Sequence, residues 1–183
     1  YDAQRVLRGV VDEIREARGF QKVASQVVSK VEAALHPEFA AILMRRPGDA
    51  EYRVLAAKEQ APPPIPADSK LMALLHVLGK PVEISQSRTG WLRNQLPRQE
   101  SDFLRQARME WLFPISLAEG QTEALLAVGP KRSEEPYSRE DQELLQGITS
   151  SLALLLEQSP SLAPVHEGFE ECPSCGRCYD TGS

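Results

Sequence analysis

Three cysteines stand close together near the end of this 183-residue chain, in the run Cys172-Pro173-Ser174-Cys175-Gly176-Arg177-Cys178. Cys-Pro-x-Cys-Gly has the form of a zinc knuckle. Two thiolates with two residues between them can grip one ion, and the glycine relaxes the turn so that backbone amides face the sulfurs. A tetrahedral site needs four ligands. One knuckle supplies two, or three if Cys178 joins, so Cys172, Cys175 and Cys178 form an incomplete site. The remainder of a zinc ribbon is expected beyond Ser183, and His166 is a further candidate ligand nearby. Two other readings stay open, a redox pair and reduced thiols in a disordered tail. A redox Cys-x-x-Cys usually opens a helix of a thioredoxin-like unit, and none is visible here. Residues 1–171 contain no Cys, which argues against a disulfide scaffold.

Other catalytic chemistry finds little support. No Ser-His-Asp or Cys-His arrangement can be argued from the three His and the tail cysteines. No glycine-rich phosphate loop and no His-Arg-Asp pattern occurs, so this chain is not expected to transfer phosphate. It is not expected to be an enzyme. Glu134-Glu135 and Glu140-Asp141 fall in a turn and at a helix start, where acids suit the helix dipole. His36 precedes Pro37 at a helix end and reads as structural. One stretch stands out by charge. From Arg88 to Arg108, five Arg (88, 93, 98, 105 and 108) face only Glu100 and Asp102. This is either a solvated, salt-bridged helix face or the rim of a pocket that receives an anion.

Composition narrows the class further. With 21 Lys+Arg, 26 Asp+Glu and 42% hydrophobic residues, the chain is expected to fold, as one domain with appendages. A net charge of −5 argues against nucleic acid as the main partner. Apolar runs such as Leu152 to Leu156 are far shorter than the roughly 20 residues that span a bilayer, so no membrane is expected. No secretory leader opens the chain, and a cytoplasmic location is expected. A start at Tyr1 and a stop at Thr181-Gly182-Ser183 read as a piece of something longer. Acidic charge gathers at the end, where residues 131–183 carry 4 basic and 10 acidic side chains.

The elements that must position these residues follow from periodicity. Val6, Leu7, Val10, Val11 and Ile14 predict a helix over 3–18, and Val23, Val27, Val28, Val31 and Leu35 predict another over 20–35, ended by Pro37. Phe39 to Met44 and Tyr52 to Ala57, around Pro47-Gly48-Asp49, predict a hairpin. The run Ala61 to Pro66, with four prolines, predicts an extended crossing loop. Asp68 or Ser69 caps a helix over 70–78, which Gly79 ends, and Pro81 to Ile84 is a short strand. One or two short helices are expected over 91–108, strands over 110–117 and 123–129, and a long helix over 139–157 capped by Ser138. In that last helix Leu145, Ile148, Leu152 and Leu155 repeat at heptad-like spacing. Hairpins at both ends with a helical excursion between them imply one mostly antiparallel sheet with helices against it.

Taken together and in order, several stretches resemble a GAF domain, the small-molecule-sensing module of signalling proteins. Pro66-Ala67-Asp68-Ser69 leads into a helix and then Gly79-Lys80-Pro81-Val82-Glu83-Ile84. Phe113-Pro114-Ile115 is similar to the family's "hydrophobic-Pro-hydrophobic" strand. Ala118-Glu119-Gly120 and Leu125 to Gly129 resemble its closing hairpin, and Tyr137-Ser138-Arg139-Glu140-Asp141 its last helix start. The resemblance covers roughly 20–157. It implies an α+β fold with a central five- or six-stranded antiparallel sheet, terminal helices on one face, and middle helices and loops over a pocket on the other. Residues 1–19 then form an N-terminal linker or dimerisation helix, 20–158 the sensor domain, and 159–183 a linker with the truncated zinc-knuckle segment. Without a Cys in residues 1–171, covalent bilin attachment and cysteine-based methionine sulfoxide reduction have no nucleophile. No cyclic-nucleotide signature is found.

The same resemblance implies a ligand site. The helix over 70–78 faces the pocket in the family, which directs Leu75 and His76 there, although His76 also reads as a partly buried, hydrogen-bonded residue. Trp91, Phe103, Trp111 and Phe113 are expected between the middle helices and the sheet, as core or as ligand lining, with Arg93 or Arg105 to neutralise an anion. The ligand itself stays unidentified. A GAF-like domain followed by Phe169 to Asp180 resembles the N-terminal region of certain bacterial serine/threonine protein kinases, with a zinc-ribbon-like segment before the catalytic part. Function is therefore read as a regulatory, small-molecule-sensing domain of a bacterial signalling protein, with the kinase as the expected downstream output domain. Alternatives are another output, such as a histidine kinase, phosphatase or cyclase, or a ligand-free module used only for dimerisation and signal relay. A homodimer through the terminal helices is the expected assembly.

Overall fold

The computed structural model describes residues 1–16, 19–84, 91–118 and 121–158. The chain runs α1 (Ala3–Arg15), α2 (Phe20–Leu35), β1 (Ala40–Met44), β2 (Glu51–Lys58), β3 (Ile65–Pro66), α3 (Lys70–Leu78), β4 (Val82–Glu83), α4 (Trp91–Gln95), α5 (Arg98–Gln106), β5 (Trp111–Ser116), β6 (Thr122–Val128) and α6 (Arg139–Gln158). The strands form one six-stranded antiparallel sheet in the order β3-β2-β1-β6-β5-β4. The expected order of elements holds with two refinements. The proline-rich crossing contributes a two-residue edge strand, with Ile65 opposite Tyr52 and Pro66 opposite Glu51. An edge is where a proline's missing N–H costs no ladder bond. The segment over 91–108 divides into α4 and α5 at Pro97, which stands at the N-cap of α5.

Local chemistry explains the helix ends. The Asp2 carboxylate accepts from the Gln4 amide at 3.0 Å and so starts α1. Ser69 Oγ accepts from the Met72 amide at 3.2 Å to start α3, and Gly79 closes it at φ +63°. At α6, Ser138 Oγ accepts from the Asp141 amide (3.0 Å) while the Asp141 carboxylate accepts from the Ser138 amide (2.8 Å). That reciprocal pair is a capping box.

Side-chain alternation on the strands divides the interior into two cores. Ile42, Phe113, Ile115, Leu126 and Val128 face α2 and α6, meeting Val23, Val27, Val31, Leu145, Ile148 and Leu152. Ala41, Leu43, Leu112, Leu125 and Ala127 face the middle helices, meeting Leu71, Leu75, Leu92 and Leu104. Neighbours along β1, β5 and β6 therefore belong to different cores. Each fully buried Leu or Ile stabilises the fold by about 1.5–3 kcal/mol relative to exposure.

One charged cluster ties the ends of this arrangement together. Lys131 Nζ lies 2.5 Å from the Asp141 carboxylate, with only 3% of the Asp141 side chain exposed. The Tyr1 hydroxyl donates to the other Asp141 oxygen. Lys131 also sits 5.4 Å above the Tyr137 ring, whose hydroxyl donates to the Gly129 carbonyl at 2.6 Å. Burial alone would push the Asp141 carboxyl up, but hydrogen bonds from Lys131, Tyr1 and the Ser138 amide outweigh it and hold the pKa below the usual carboxylate value. A depressed carboxylate pKa adds stability that is complete above the unfolded value and is lost as pH falls through the folded one. Asp141→Ala should therefore cost about 3 kcal/mol at pH 7 in urea melts, because it leaves Lys131 buried and unpaired. The difference between wild type and Asp141→Asn should shrink as the pH is lowered below about 4.

Candidate functional site

The middle helices build a cavity at the β4–β5 edge of the sheet. Its volume is about 500 Å³, within the range of roughly 300–1,000 Å³ usual for small-molecule sites. Ile84 past β4, Leu92 and Leu96 around α4, Leu104 of α5 and Met109 before β5 give it an apolar floor. Arg98, Ser101, Asp102 and Arg105 of α5 form one wall, and Arg108, Glu110 and Pro130 close the other end. The α5 residues reach the cavity together because 98, 101, 102 and 105 fall at three- and four-residue spacing, one face of a helix.

Charge at the rim is organised in pairs. Arg105 Nη2 donates to Asp102 at 2.8 Å, and Arg98 Nε lies 3.9 Å from the same carboxylate. Arg108 makes a two-pronged contact with Glu38 at 2.8 and 2.9 Å. Hydrogen bonding to Arg108 holds the Glu38 carboxyl below its ordinary pKa and raises the Arg108 guanidinium. Arg108 also adopts a left-handed backbone, at φ +55°. That conformation is uncommon for a side chain of this size and tends to persist where surroundings demand it. On the cavity wall Ser101 Oγ is buried and has no hydrogen-bond partner among the described residues. An unpaired buried hydroxyl costs about 1–3 kcal/mol, a cost that a hydrogen bond from Ser101 to a ligand or water would remove.

The wall helix is anchored from behind. The Glu100 carboxylate accepts from the Lys70 and Leu71 amides, each at 3.0 Å. With Ser69 taking the Met72 amide, the first three donors of α3 are satisfied, two of them by a residue thirty positions away on the helix that lines the cavity.

The residues singled out from sequence fall in several places. Arg98, Arg105 and Arg108 of the Arg-rich stretch stand at the cavity. Trp91 and Arg93 lie on α4, but their side chains are outside the described structure, as is Arg88. Leu75 is fully buried in the core beneath α3, and Phe103 packs half-buried against that same core. His76 is exposed on α3, neither in a pocket nor partly buried as expected. Trp111 and Phe113 are expected with the middle helices, and the structure puts them on the opposite face. They stack at 5.6 Å in the core shared with α2 and α6, because odd positions of β5 point that way and Leu112 points to the middle helices. Cys172, Cys175, Cys178 and His166 lie outside the described residues. Among the described residues no group of three or more His, Cys, Asp and Glu is placed to hold a metal ion. Nor is any described helix long and apolar enough to cross a membrane. Leu92, Leu96 and Ser101 were not singled out from sequence, and Asp102 only as a counter-charge to the arginines; the helical spacing of 98, 101, 102 and 105 is the signal that points to Ser101 and Asp102 as neighbours at the cavity.

The chain superposes on the GAF domain of an Acinetobacter phosphoenolpyruvate-protein phosphotransferase with a TM-score of 0.66 and 15% identity, over 88% of this chain and 96% of that one. It superposes on the phycocyanobilin-bound GAF domain of a cyanobacterial phytochrome at 0.65 and 20%, covering 87% and 96%. A free methionine-R-sulfoxide reductase from Neisseria meningitidis, in complex with its substrate, gives 0.65 and 10%, covering 87% and 90%. The chain has the GAF fold, with a six-stranded antiparallel sheet and flanking helices. No protein-family model matches the sequence, and no curated protein matches it.

Two variants test this division of the molecule. Phe113→Ala should cost about 3–5 kcal/mol in chemical denaturation, as a buried core residue. Glu100→Ala should cost about 1 kcal/mol and speed hydrogen exchange at the Lys70 and Leu71 amides, leaving the Met72 amide protected by Ser69.

Proposed function

We propose that this chain is a regulatory, small-molecule-sensing module whose ligand occupies the cavity between α4, α5 and the β4–β5 edge. The observation that carries this reading is a cavity of about 500 Å³ with an apolar floor, an arginine rim and an unpaired buried hydroxyl on its wall. Orientation by a few polar groups over an apolar base is the usual design of a ligand pocket. Ligand binding biases the module only if two arrangements differ in affinity. Arg108 offers a mechanical link, since the same residue lines the cavity, grips Glu38 ahead of β1, and lays its carbonyl against Gly129 at the end of β6. Gly129 in turn accepts from Tyr137 at the entry to α6. The signal passes from the cavity to α6 and α1 along that corner.

The rival reading, a module used only to dimerise, has less to work with. Leu145, Ile148, Leu152 and Leu155, the heptad-like stripe of α6, are buried in the chain's own core. The finer reading, a sensor attached to a bacterial serine/threonine kinase through a zinc-binding segment, rests on the sequence from Phe169 to Asp180 with Cys172, Cys175 and Cys178. The solved relatives of the fold serve varied contexts, among them a phosphotransferase and a methyl-accepting chemotaxis protein.

A thermal-shift screen of the chain against nucleotides, amino acids, haem and small organic acids tests the sensor reading. A specific ligand at 100 times its dissociation constant adds about 2.7 kcal/mol, a shift of several degrees. Filling the cavity with Ser101→Phe should abolish that shift. If no compound in a broad library shifts the midpoint, or if the shift survives Ser101→Phe, the reading fails.

A further inference from the structure

The charges around the cavity are not equally available to a ligand. Arg108 is closed by its two-pronged contact with Glu38. Glu110 is buried and already engaged within the fold. What remains is Arg98 and Arg105 sharing the single carboxylate of Asp102. Arg98 approaches it at 3.9 Å, too far for a hydrogen bond. Each guanidinium carries five N–H donors, so donors at the mouth far outnumber acceptors. On the same helix face lies the unpartnered Ser101 hydroxyl, and the same cavity is lined by Leu92, Leu96 and Leu104.

We propose that the ligand of this cavity is a small organic acid. Its apolar body lies on the leucine floor, and its acidic group is received by the Arg98 and Arg105 guanidiniums with a hydrogen bond from Ser101. The inference rests on the reading of the cavity as the ligand site and goes beyond it by specifying the ligand's charge and shape. A cationic ligand is disfavoured, because Asp102 is already shared by two arginines and Glu110 is engaged. A purely apolar ligand leaves Ser101 unpaired and gains nothing from the two guanidiniums, whose side chains are 95% and 73% exposed and reach the ligand only at the mouth. A planar, delocalised acid group also matches the fork of an arginine better than a point charge does.

Two fluorescent probes with one ring body separate the possibilities. 8-Anilinonaphthalene-1-sulfonate carries an acid group, whereas N-phenyl-1-naphthylamine has the same rings and no charge. Titrated into the whole chain at neutral pH, the sulfonate should bind saturably at one site, about tenfold tighter than the neutral probe. The double variant Arg98→Ala/Arg105→Ala should weaken the sulfonate about tenfold and leave the neutral probe unchanged. Arg132→Ala, which removes an arginine paired with Glu32 and Glu59 away from the cavity, should alter neither. Thermal melts of each variant confirm that it is folded. Equal affinity for the two probes, or indifference of the sulfonate to the arginine pair while Ser101→Phe still abolishes binding, overturns the organic-acid proposal and leaves the cavity reading standing. If neither probe saturates, or both still bind Ser101→Phe, the cavity reading fails as well.

Discussion

Both faces of the sheet are dry at its central strands, β1 and β6, and that constraint governs the rest of this molecule. A strand buried on two sides must supply apolar residues at every position, and the direction of each side chain then decides which core it serves. In β1, Ile42 meets the terminal helices and Leu43 the middle ones, and in β6, Leu126 and Leu125 divide in the same way. The consequence for function is a division of labour. The face under α2 and α6 is filled by large side chains, including the Trp111–Phe113 stack, and holds the fold together. The other face is covered by shorter helices that leave room at one edge.

The two faces communicate at a corner where β1 begins and β6 ends. There Glu38 donates its amide to the Pro130 carbonyl and Gly129 donates to that of Phe39. A Cβ added at Gly129 would lie 2.8 Å from the Phe39 ring, so this approach requires glycine. Arg108 reaches the corner from the cavity side, Tyr137 and Lys131 from the α6 side, and Asp141 joins Lys131 to Tyr1. A cavity at one end of such a corner is well placed to act on the terminal helices, since displacement of α5 moves Arg108, two residues past its end.

Much of this was legible in the residues. Ser69 with Gly79 and Ser138 with Asp141 mark helix ends by local hydrogen-bonding chemistry, which depends only on neighbours in sequence. The stripes of α2 and α6 are readable because one side of each helix is wet. β3 was not readable, since two residues in a proline run carry no periodicity. The side taken by Trp111 and Phe113 was hidden for a related reason: in Trp-Leu-Phe-Pro-Ile both faces are apolar, so alternation exists without a polar face to orient it. The arginines of α5 were visible as a charge excess, but the leucine floor beneath them was not, because Leu92 and Leu96 look like any core residue until the fold leaves space beside them. Glu100 capping α3 is a contact between distant segments, outside the reach of local pattern.

The claim at the centre of this account is that the middle-helix face binds and the terminal-helix face supports. The most direct test is a crystal structure of the chain with any compound that raises its melting midpoint. The account predicts density against Leu92, Leu96 and Ser101, with a polar group at Arg105 and Trp111 undisturbed on the far face. Density instead beside α6, in the small cleft lined by Lys80, Ser116 and Thr149, would contradict it.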